Sequence, residues 1–519
     1  MESMNIIELK LFASRVIAIC EEMGLVLRRA AFSPNIKDRL DFSCALFGAD
    51  GQLFAQADHM PVHLGSMAFA MSSVVKEREW QTGDMLVLND PYLGGTHLPD
   101  VTLIAPVFGT EGIGLLGFVV NRAHHANIGC DTPGSMPVSS SLEEEGIIIP
   151  PTLLLRAGNL QPGTELLPGV VNGELIGDFA AQAGANRVGV LRLQQLVENV
   201  GLDTYIHGMQ QLNSYAERIA TNTIGLLKPG LYHFEDYLDD DGCGTTNISL
   251  KVSLNINANR VEVDLSDSAD TVRGNLNCPE SVVAAAAYYC FRCLMPDEAP
   301  ACEGLFHNIN IKTRLGSIVN AQRPAAVAAG NVETSTRIVD LIFGALAQAV
   351  PEQIPAASQG TMNNVAMGHI DHSTGKRWDY YETVAGGLGG GPTQAGLSSV
   401  HSHMTNTLNT PIESLEMHYP LRVRRYAIRR SSGGAGRHPG GDGIIREYEF
   451  LQPTRLSLLS ERRSFAPWGL LGGGEGKRGS NLLNGKILPG KCTVDMCVGD
   501  RLTIQSPGGG GWGIPSENE

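Results

Sequence analysis

The amino-acid sequence predicts an α+β protein of several domains, with an N-terminal α/β region rich in metal-ligating residue types and a β-rich C-terminal region. Three observations carry that reading. A chain of 519 residues is longer than one hydrophobic core serves. Helical and alternating apolar periodicities both occur, in separate stretches. The 61 glycines and 27 prolines fall largely between short strand-like runs. Boundaries at Pro229-Gly230 and near Pro351 divide the chain into a first domain over 1–228 that holds the ligand-type residues, a middle α+β domain over 229–350 and a glycine-rich β domain over 351–519.

The elements follow in chain order. The start, "MESMNIIELKLFASRVIAICEEMG", carries Glu2, Glu8, Glu21 and Glu22 at helical spacing, with Ile7, Leu11, Ile17 and Leu25 broadly on one side. It reads as an amphipathic helix of about 30 residues and not as a signal peptide. "DFSCALFGADGQLFAQ" gives two apolar runs around Asp50-Gly51, a β-hairpin. A helix is expected over "GSMAFAMSSVVKERE", then strands from "GDMLVLNDPYLGG" to "GLLGFVVNRAHH". "GDFAAQAGANRVGVLRLQQLVENVG" is a helix closed by Gly201, and "DTYIHGMQQLNSYAERIATNTIGLL" is a second. The middle region alternates as strands in "NISLKVSLNINANRVEVDLS", followed by helices in "PESVVAAAAYYCFRCLM" and "TSTRIVDLIFGALAQAV". Beyond it, "GGLGGGPT", "SSGGAGRHPGGDG", "LLGGGEGKRGSN" and "SPGGGGWG" separate short strands, so the last third is expected to be nearly all-β.

Bulk properties exclude several function classes. A formal charge of −15 disfavours nucleic acid or an anionic membrane as partner. The longest apolar runs, such as "VVAAAAYYC", are half of the roughly 18 residues of a membrane span. Ten irregularly spaced cysteines read as reduced intracellular thiols, and the expected location is the cytoplasm.

Candidate ligands concentrate before residue 130: Asp38, Asp41, His59, His63, Asp90, His97, Asp100, His124 and His125. The strands "VTLIAPVF" and "IGLLGFVV", joined by "GTEG", would pair antiparallel, which returns the residue after the second to the residue before the first. Asp100 precedes one strand and His124 follows the other, so the "HLPD" and "RAHH" segments meet at one end. An H-x-x-D alone caps a turn or sits at the surface far more often than it binds metal; the returning His-His pair makes a three-ligand cluster an equal reading. His59 and His63 are separated by Pro61, which suits loop or supporting histidines.

Other signatures are incomplete. "LGGGEGKRG" has Leu471 and Arg478 where a phosphate loop needs Gly and Ser or Thr. "YLDDDGCGTTNI" has Tyr237 and Ile248 where a calcium loop needs Asp and Glu, and reads as a turn. No G-x-S-x-G elbow occurs. Cys290 and Cys293 of "CFRC" read as core packing. "RVRRYAIRR" is either an anion or partner site or a solvated strand face, and the polar run from His401 to Asn409 is either a loop or a lining.

Long ordered motifs then identify a relationship. "FSPNIKDRLDFSCALFGADGQLFAQADHMPVHLGSM", "NDPYLGGTHLPDVTL", "EEEGIIIPP", "GDFAAQAGANRVG", "AAGNVETSTRIVD", "HMTNTLNTPIESLE", "SGGAGRHPGGDGIIREY" and "ERRSFAPWGLLGG" resemble the hydantoinase B/oxoprolinase family from about residue 5 to 513. The resemblance implies a larger A-type partner that binds ATP, and hydrolysis of cyclic amides such as N-methylhydantoin or 5-oxoproline by a hetero-oligomer such as A2B2. Acetone and acetophenone carboxylases are related assemblies. It also implies a divalent metal, zinc or manganese, at the matching positions Asp41, His97, Asp100 and His124. His125 or Asp90 would handle protons or support the ligands, and His63 would form a wall. The implied mechanism phosphorylates the amide oxygen in the partner and opens the ring here with metal-activated water. Two departures stand out: Asn127 and Cys130 in "HHANIGC" replace Asp and Gly. The extra sequence of carboxylase chains is absent, which favours the amidohydrolase branch over a carboxylase subunit or a non-catalytic scaffold.

Overall fold

The computed structural model describes residues 4–57, 59–63, 65–75, 78–110, 112–371, 373 and 376–515. Helix α1, Ile6–Ala30, begins at Asn5, whose side chain accepts from the backbone of Ile7 and Glu8 while Glu8 accepts from Asn5, a reciprocal cap. Its buried stripe is Leu9, Phe12, Val16, Ile19, Met23 and Leu27. This corrects the face read from the sequence: Ile7, Leu11 and Leu25 are 69%, 54% and 51% exposed. The physical reason is continuity. The buried stripe repeats every three or four residues along the whole helix, whereas the other is broken by Ser14, Ala18 and Glu21.

Helix α2 is a single turn, Pro34–Lys37. The first sheet comprises β1 (Phe42–Gly48), β2 (Leu53–Gln56), β3 (Met85–Leu88), β4 (Asp100–Phe108), β5 (Leu115–His124), β6 (Thr152–Arg156) and β7 (Asn159–Leu160). Their order is β2-β1-β5-β4-β3-β6-β7, with every neighbouring pair antiparallel. The β1–β2 hairpin turns at Asp50-Gly51, as expected. One face of the sheet joins the main core through Val101, Leu103, Val107, Val119 and Ala123. The other face, with Ile104, Phe118 and Val120, packs on α3 (Ser66–Val74). The helix expected over 65–79 is helical over that span only, and residues 76 and 77 lie outside the described ones.

A two-residue pair, β8 (Val170–Val171) and β9 (Glu174–Leu175), precedes α4 (Gly177–Val200) and α5 (Leu202–Gly225), the two helices expected on either side of Gly201. In the middle region β10 (Gly230–Asp240), β11 (Thr246–Ile256), β12 (Val261–Asp264) and β13 (Ile309–Lys312) form a sheet in sequence order, and "YLDDDGCGTTNI" is its first hairpin turn. Helices α6 (Glu280–Arg292) and α7 (Ser335–Ala349) pack beside it. Cys290 is buried in α6, but Cys293 caps its end and is exposed, because the helix stops there and its last turn faces out.

Among its described residues the last third holds one short helix, α8 (Ile412–His418), and two antiparallel sheets. The first contains β14 (Asn364–Asp371), β15 (Lys376–Glu382), β18 (Thr454–Leu459) and β21 (Lys491–Met496). The second contains β16 (Leu421–Arg429), β17 (Gly443–Phe450), β19 (Ser480–Leu483), β20 (Lys486–Leu488) and β22 (Arg501–Gln505). The glycine runs between them are not loose loops. The Gly508–Gly511 run threads among four others, with Gly510 N–H donating to Ala357 O at 2.8 Å and Gly434 N–H donating to Gly509 O at 2.8 Å. A Cβ on Gly510 would stand 2.0 Å from Trp468 O, and one on Gly387 1.9 Å from Gly441 O. "LGGGEGKRG" belongs to the same lattice: Gly474, Gly476 and Lys477 donate to Ala435, Pro467 and Ser432 carbonyls. The N–H groups of Gly473, Gly474, Gly476, Lys477 and Gly479 are therefore spent on protein.

This packing predicts a contrast between two glycines. Gly510→Ala should lower the thermal midpoint by several degrees, since neighbouring backbone cannot yield. Gly184→Ala, inside α4 where an added Cβ meets nothing within 4 Å, should leave it unchanged or raise it slightly, from a stability gain of ~0.5–1 kcal/mol. Calorimetry of both variants checks this.

Candidate metal centre

Strands β4 and β5 set the geometry. Their register places Asp100 directly opposite His124. Residues alternate between faces, so Asp100 and His124 project to the α3 side and His125 to the α4 side. The turn before β4 brings the third group. Gly94 adopts φ +97°, and a Cβ on Gly95 would lie 2.5 Å from Asn89 O, so this glycine pair permits a tight return. Leu98 is buried, and Asn89 Nδ2 donates to its carbonyl at 2.8 Å, anchoring the turn so that His97 faces inward.

The resulting group is His97, Asp100 and His124, all buried, with one potential ligand atom from each lying within 4.8 Å of the others. His97 Nε2 is 3.0 Å and His124 Nδ1 3.2 Å from Asp100 Oδ1. Asp100 Oδ2 accepts from Thr96 Oγ1 at 2.6 Å and Asn331 Nδ2 at 3.3 Å, with His63 Nε2 at 3.4 Å. His97 Nδ1 donates to Ala328 O at 3.3 Å, which leaves Nε2 as a lone pair in the neutral ring. The Nε2 atoms of His97 and His124 are buried and make no hydrogen bond among the described residues. A neutral His97 thus turns its lone pair on an Asp100 oxygen, an arrangement that needs a second proton or a cation. Two imidazoles and a carboxylate, one ring held through its other nitrogen by a carbonyl, fit zinc or manganese.

The electrostatics agree. Burial would raise the Asp100 carboxyl, but His97, His124 and His63 outweigh it and hold it well below the usual carboxylate range. Burial works to lower His97, and Asp100 overrides it, holding that imidazole above its ordinary value. His63 is lowered by burial despite Asp100.

His124 stacks on Tyr381, with centroids 4.9 Å apart and planes 11° from parallel, and Arg39 lies over the same tyrosine ring. Tyr381 Oη donates to Asn364 Oδ1 at 2.7 Å, and Asn364 Nδ2 donates to Glu333 Oε1 at 2.7 Å. Two buried glutamates therefore sit around the group without having been singled out from the sequence. Glu333 lies in a π-helical turn, Gly330–Thr334, before α7, and burial pushes its carboxyl up to about 7. Glu145, in "EEEGIIIPP", is likewise pushed up to about 7 by burial. The available signal was the motif, not the spacing.

Of the remaining candidates, Asp41 stays near enough to act electrostatically on His97 and His63, and the others sit around or beyond the group. Asp41 is buried and its carbonyl accepts from His124 N–H at 3.0 Å, but its carboxylate lies outside the tight group, 3.8 Å from Arg39. Asp38 caps α2. His59 accepts from Cys44 N–H at 3.2 Å, and burial lowers it to about 4. Asp90 accepts from Tyr92 N–H at 3.0 Å and pairs with Arg323. His125 bonds Gln182 Oε1 at 2.8 Å and meets Phe179 edge-on, both on α4. Asn127 accepts from Gly129 N–H at 2.7 Å and shapes the turn after β5, while Cys130 Sγ donates to the Glu144 carbonyl. Arg424 of the arginine-rich strand pairs with Glu449 at 2.6 Å. The polar run is a loop whose first three residues, His401, Ser402 and His403, border a cavity of about 370 Å³, while Asn409 donates to Glu382 at 2.8 Å.

Two outcomes follow. Glu333 keeps its proton in the folded state between 4.5 and about 7, where the unfolded chain has lost it. Its contribution to stability is therefore full below 4.5 and lost as pH rises through about 7. Glu333→Gln should flatten the fall in thermal midpoint across that window. Asn127→Asp retains the turn acceptor but loses the amide's donations to Cys130 O and Asp379 Oδ1, and should lower stability by ~1–2 kcal/mol with metal content unchanged by elemental analysis.

The comparisons with known proteins agree with one another. The Hydantoinase B/oxoprolinase family model matches residues 5–515. 5-oxoprolinase 1 of Arabidopsis thaliana is 39% identical over 553 residues, covering 98% of this chain and 42% of that protein, so the chain spans about two fifths of this relative's length. An uncharacterised protein of Methanocaldococcus jannaschii is 39% identical over 99% of this chain and 92% of its own. The crystal structure of the ATP-dependent caprolactamase from Pseudomonas jessenii superposes with a TM-score of 0.90 at 25% identity, covering 99% of this chain and 92% of that one. A full-length family match, close relatives over the whole chain and a shared α+β fold lead to one conclusion: this chain belongs to the hydantoinase B/oxoprolinase family.

Proposed function

We propose that this chain is the B-type subunit of an ATP-dependent cyclic amidohydrolase acting on a hydantoin, 5-oxoproline or a related lactam. Relatives named for 5-oxoproline and caprolactam hydrolysis support the reaction class. The observation that carries the reading is the buried His97–Asp100–His124 group at the end of the β4–β5 hairpin. A lactam is a resonance-stabilised amide, and phosphorylation of its oxygen by an ATP-binding A-type partner would remove that resonance. Water would add at the carbon, the C–N bond would break as the nitrogen takes a proton, and the acyl phosphate left would be hydrolysed to carboxylate and phosphate. Assignment of the nucleotide to a partner suits a chain whose glycine-rich segment spends its N–H groups on its own carbonyls.

His97, Asp100 and His124 would hold a zinc or manganese ion. Bound there, such an ion would supply Lewis-acid chemistry and lower the pKa of water toward neutrality. The chain's own residues do the rest. Thr96 and Asn331 orient the Asp100 carboxylate. Ser43 holds His63 Nδ1 at 2.8 Å, so that its Nε2 faces Asp100; His63, expected only as a wall, would take the proton-handling role in place of His125 or Asp90. His125 and Asp90 instead secure α4 and the Arg323 loop. Ten free cysteines suit a reducing, cytoplasmic setting, and the assembly would be a hetero-oligomer such as A2B2.

The test reconstitutes the chain with an A-type partner and ATP, and offers 5-oxoproline, N-methylhydantoin and caprolactam. Expected are near-stoichiometric metal, lactam-dependent phosphate release, and loss of both in the His97→Ala, Asp100→Ala double variant. A metal-free wild type that remains active, or full activity in the double variant, would reduce the chain to a scaffold. ATP turnover that requires bicarbonate and a ketone would make it a carboxylase subunit.

A further inference from the structure

We infer that Glu145 is a positioning residue of the metal centre, fixing the His97 ring through the backbone of Val327 and Ala328. The inference rests on the metal reading above and assigns a role to a residue that touches none of the three candidate ligands. Glu145 ends a short 3₁₀ turn, Leu142–Glu145, and is fully buried. Its Oε1 accepts three hydrogen bonds: Ser139 Oγ at 2.8 Å, Val327 N–H at 2.9 Å and Ala328 N–H at 2.9 Å. Its Oε2 is buried without a hydrogen-bond partner, and Glu145 forms no ion pair among the described residues.

Burial of this carboxyl with no cation opposes folding, so its place depends on the hydrogen bonds its oxygen accepts. What the three bonds accomplish is orientation. Two consecutive N–H groups converge on one oxygen, which sets the backbone about Val327 and Ala328. The Ala328 carbonyl then meets His97 Nδ1 at 3.3 Å. A ring donating from Nδ1 keeps Nε2 unprotonated when neutral, and that atom lies 3.0 Å from Asp100 Oδ1. The same segment is tied down on both sides. Tyr92 Oη donates to Ala325 O at 2.7 Å and Asn277 Nδ2 to Ala326 O at 3.0 Å. Downstream, Gly330 N–H donates to Val327 O at 3.0 Å, leading into the π-helical turn from which Asn331 reaches Asp100. Glu145 thus supplies the one anchor on the N–H side of the peptide pair that presents the carbonyl to His97.

The experiment uses the full chain and two readouts. Zinc affinity is measured by competition with a chromophoric chelator, and the His97 tautomer by ring ¹⁵N shifts of the metal-free, ¹⁵N-histidine-labelled protein, assigned with His97→Ala. Glu145→Ala, and the gentler Glu145→Asp whose shorter side chain cannot span both N–H groups, should weaken zinc binding by about 10–100-fold. Both should replace the single Nδ1–H signature of His97 with a mixture. Glu145→Gln keeps an acceptor oxygen and should restore affinity to within a few-fold and the tautomer completely. Wild-type zinc affinity and an unchanged His97 signature in Glu145→Ala and Glu145→Asp would overturn the inference while leaving the metal reading intact. A wild type that binds no zinc, with the His97 signature still lost in Glu145→Ala, would overturn the metal reading and support the role of Glu145 in setting the ring.

Discussion

A single buried carboxylate organises this end of the molecule. Asp100 is removed from water at the start of β4, where an uncompensated charge would cost several kcal/mol. Three imidazoles, a hydroxyl and an amide converge on it from four separate stretches: His63, the Thr96–His97 turn, the end of β5 and Asn331. Each of those stretches is held by its own backbone contacts, so the group is assembled before any ion arrives. That order matters for metal chemistry, because a preformed site binds without the entropic cost of gathering its ligands.

The surrounding shell follows from the same constraint. Tyr381, under Arg39, closes one side of His124, and its hydroxyl passes through Asn364 to Glu333. On the other side Glu145 grips the Ala328 segment. Both glutamates are buried and raised to about 7, so the group is flanked by carboxyls whose charge is decided near neutral pH. Farther out, a buried ionic network joins the middle and last thirds. Arg462 contacts Asp236 and Asp340, and Lys491 and Arg337 meet Glu461. Such a network contributes little net stability, but breaking one member strands a charge, which favours a single way of seating β18 and the segment after it on α7.

Much of this was legible in the residues. The β4–β5 hairpin follows from two apolar runs and a glycine-flanked turn, and its register makes Asp100 and His124 neighbours by geometry alone. Helices α4 and α5 and the glycine-rich last third were equally plain, since each rests on local periodicity or composition. Less legible was the face of α1, where two apolar stripes compete and the surface of α4 selects the longer one. His125 was drawn toward the site by adjacency to His124, yet pleating turns successive side chains to opposite faces and delivers it to Phe179. Asp41 shares the neighbourhood through its carbonyl, while its carboxylate stays by Arg39.

By itself the sequence determined the family, the α+β class and the hairpin that pairs His97 and Asp100 with His124, because those depend on residues close in the chain or on long ordered motifs. The tertiary structure alone decided which buried glutamates back the group. Glu145 and Ala328 are 183 positions apart, and Glu333 and Asn364 are 31 apart. It also revealed that the glycine runs form a packed lattice and not a nucleotide loop. Contacts of that kind are set by how layers stack, and no local period or spacing records which carbonyl a distant N–H will meet.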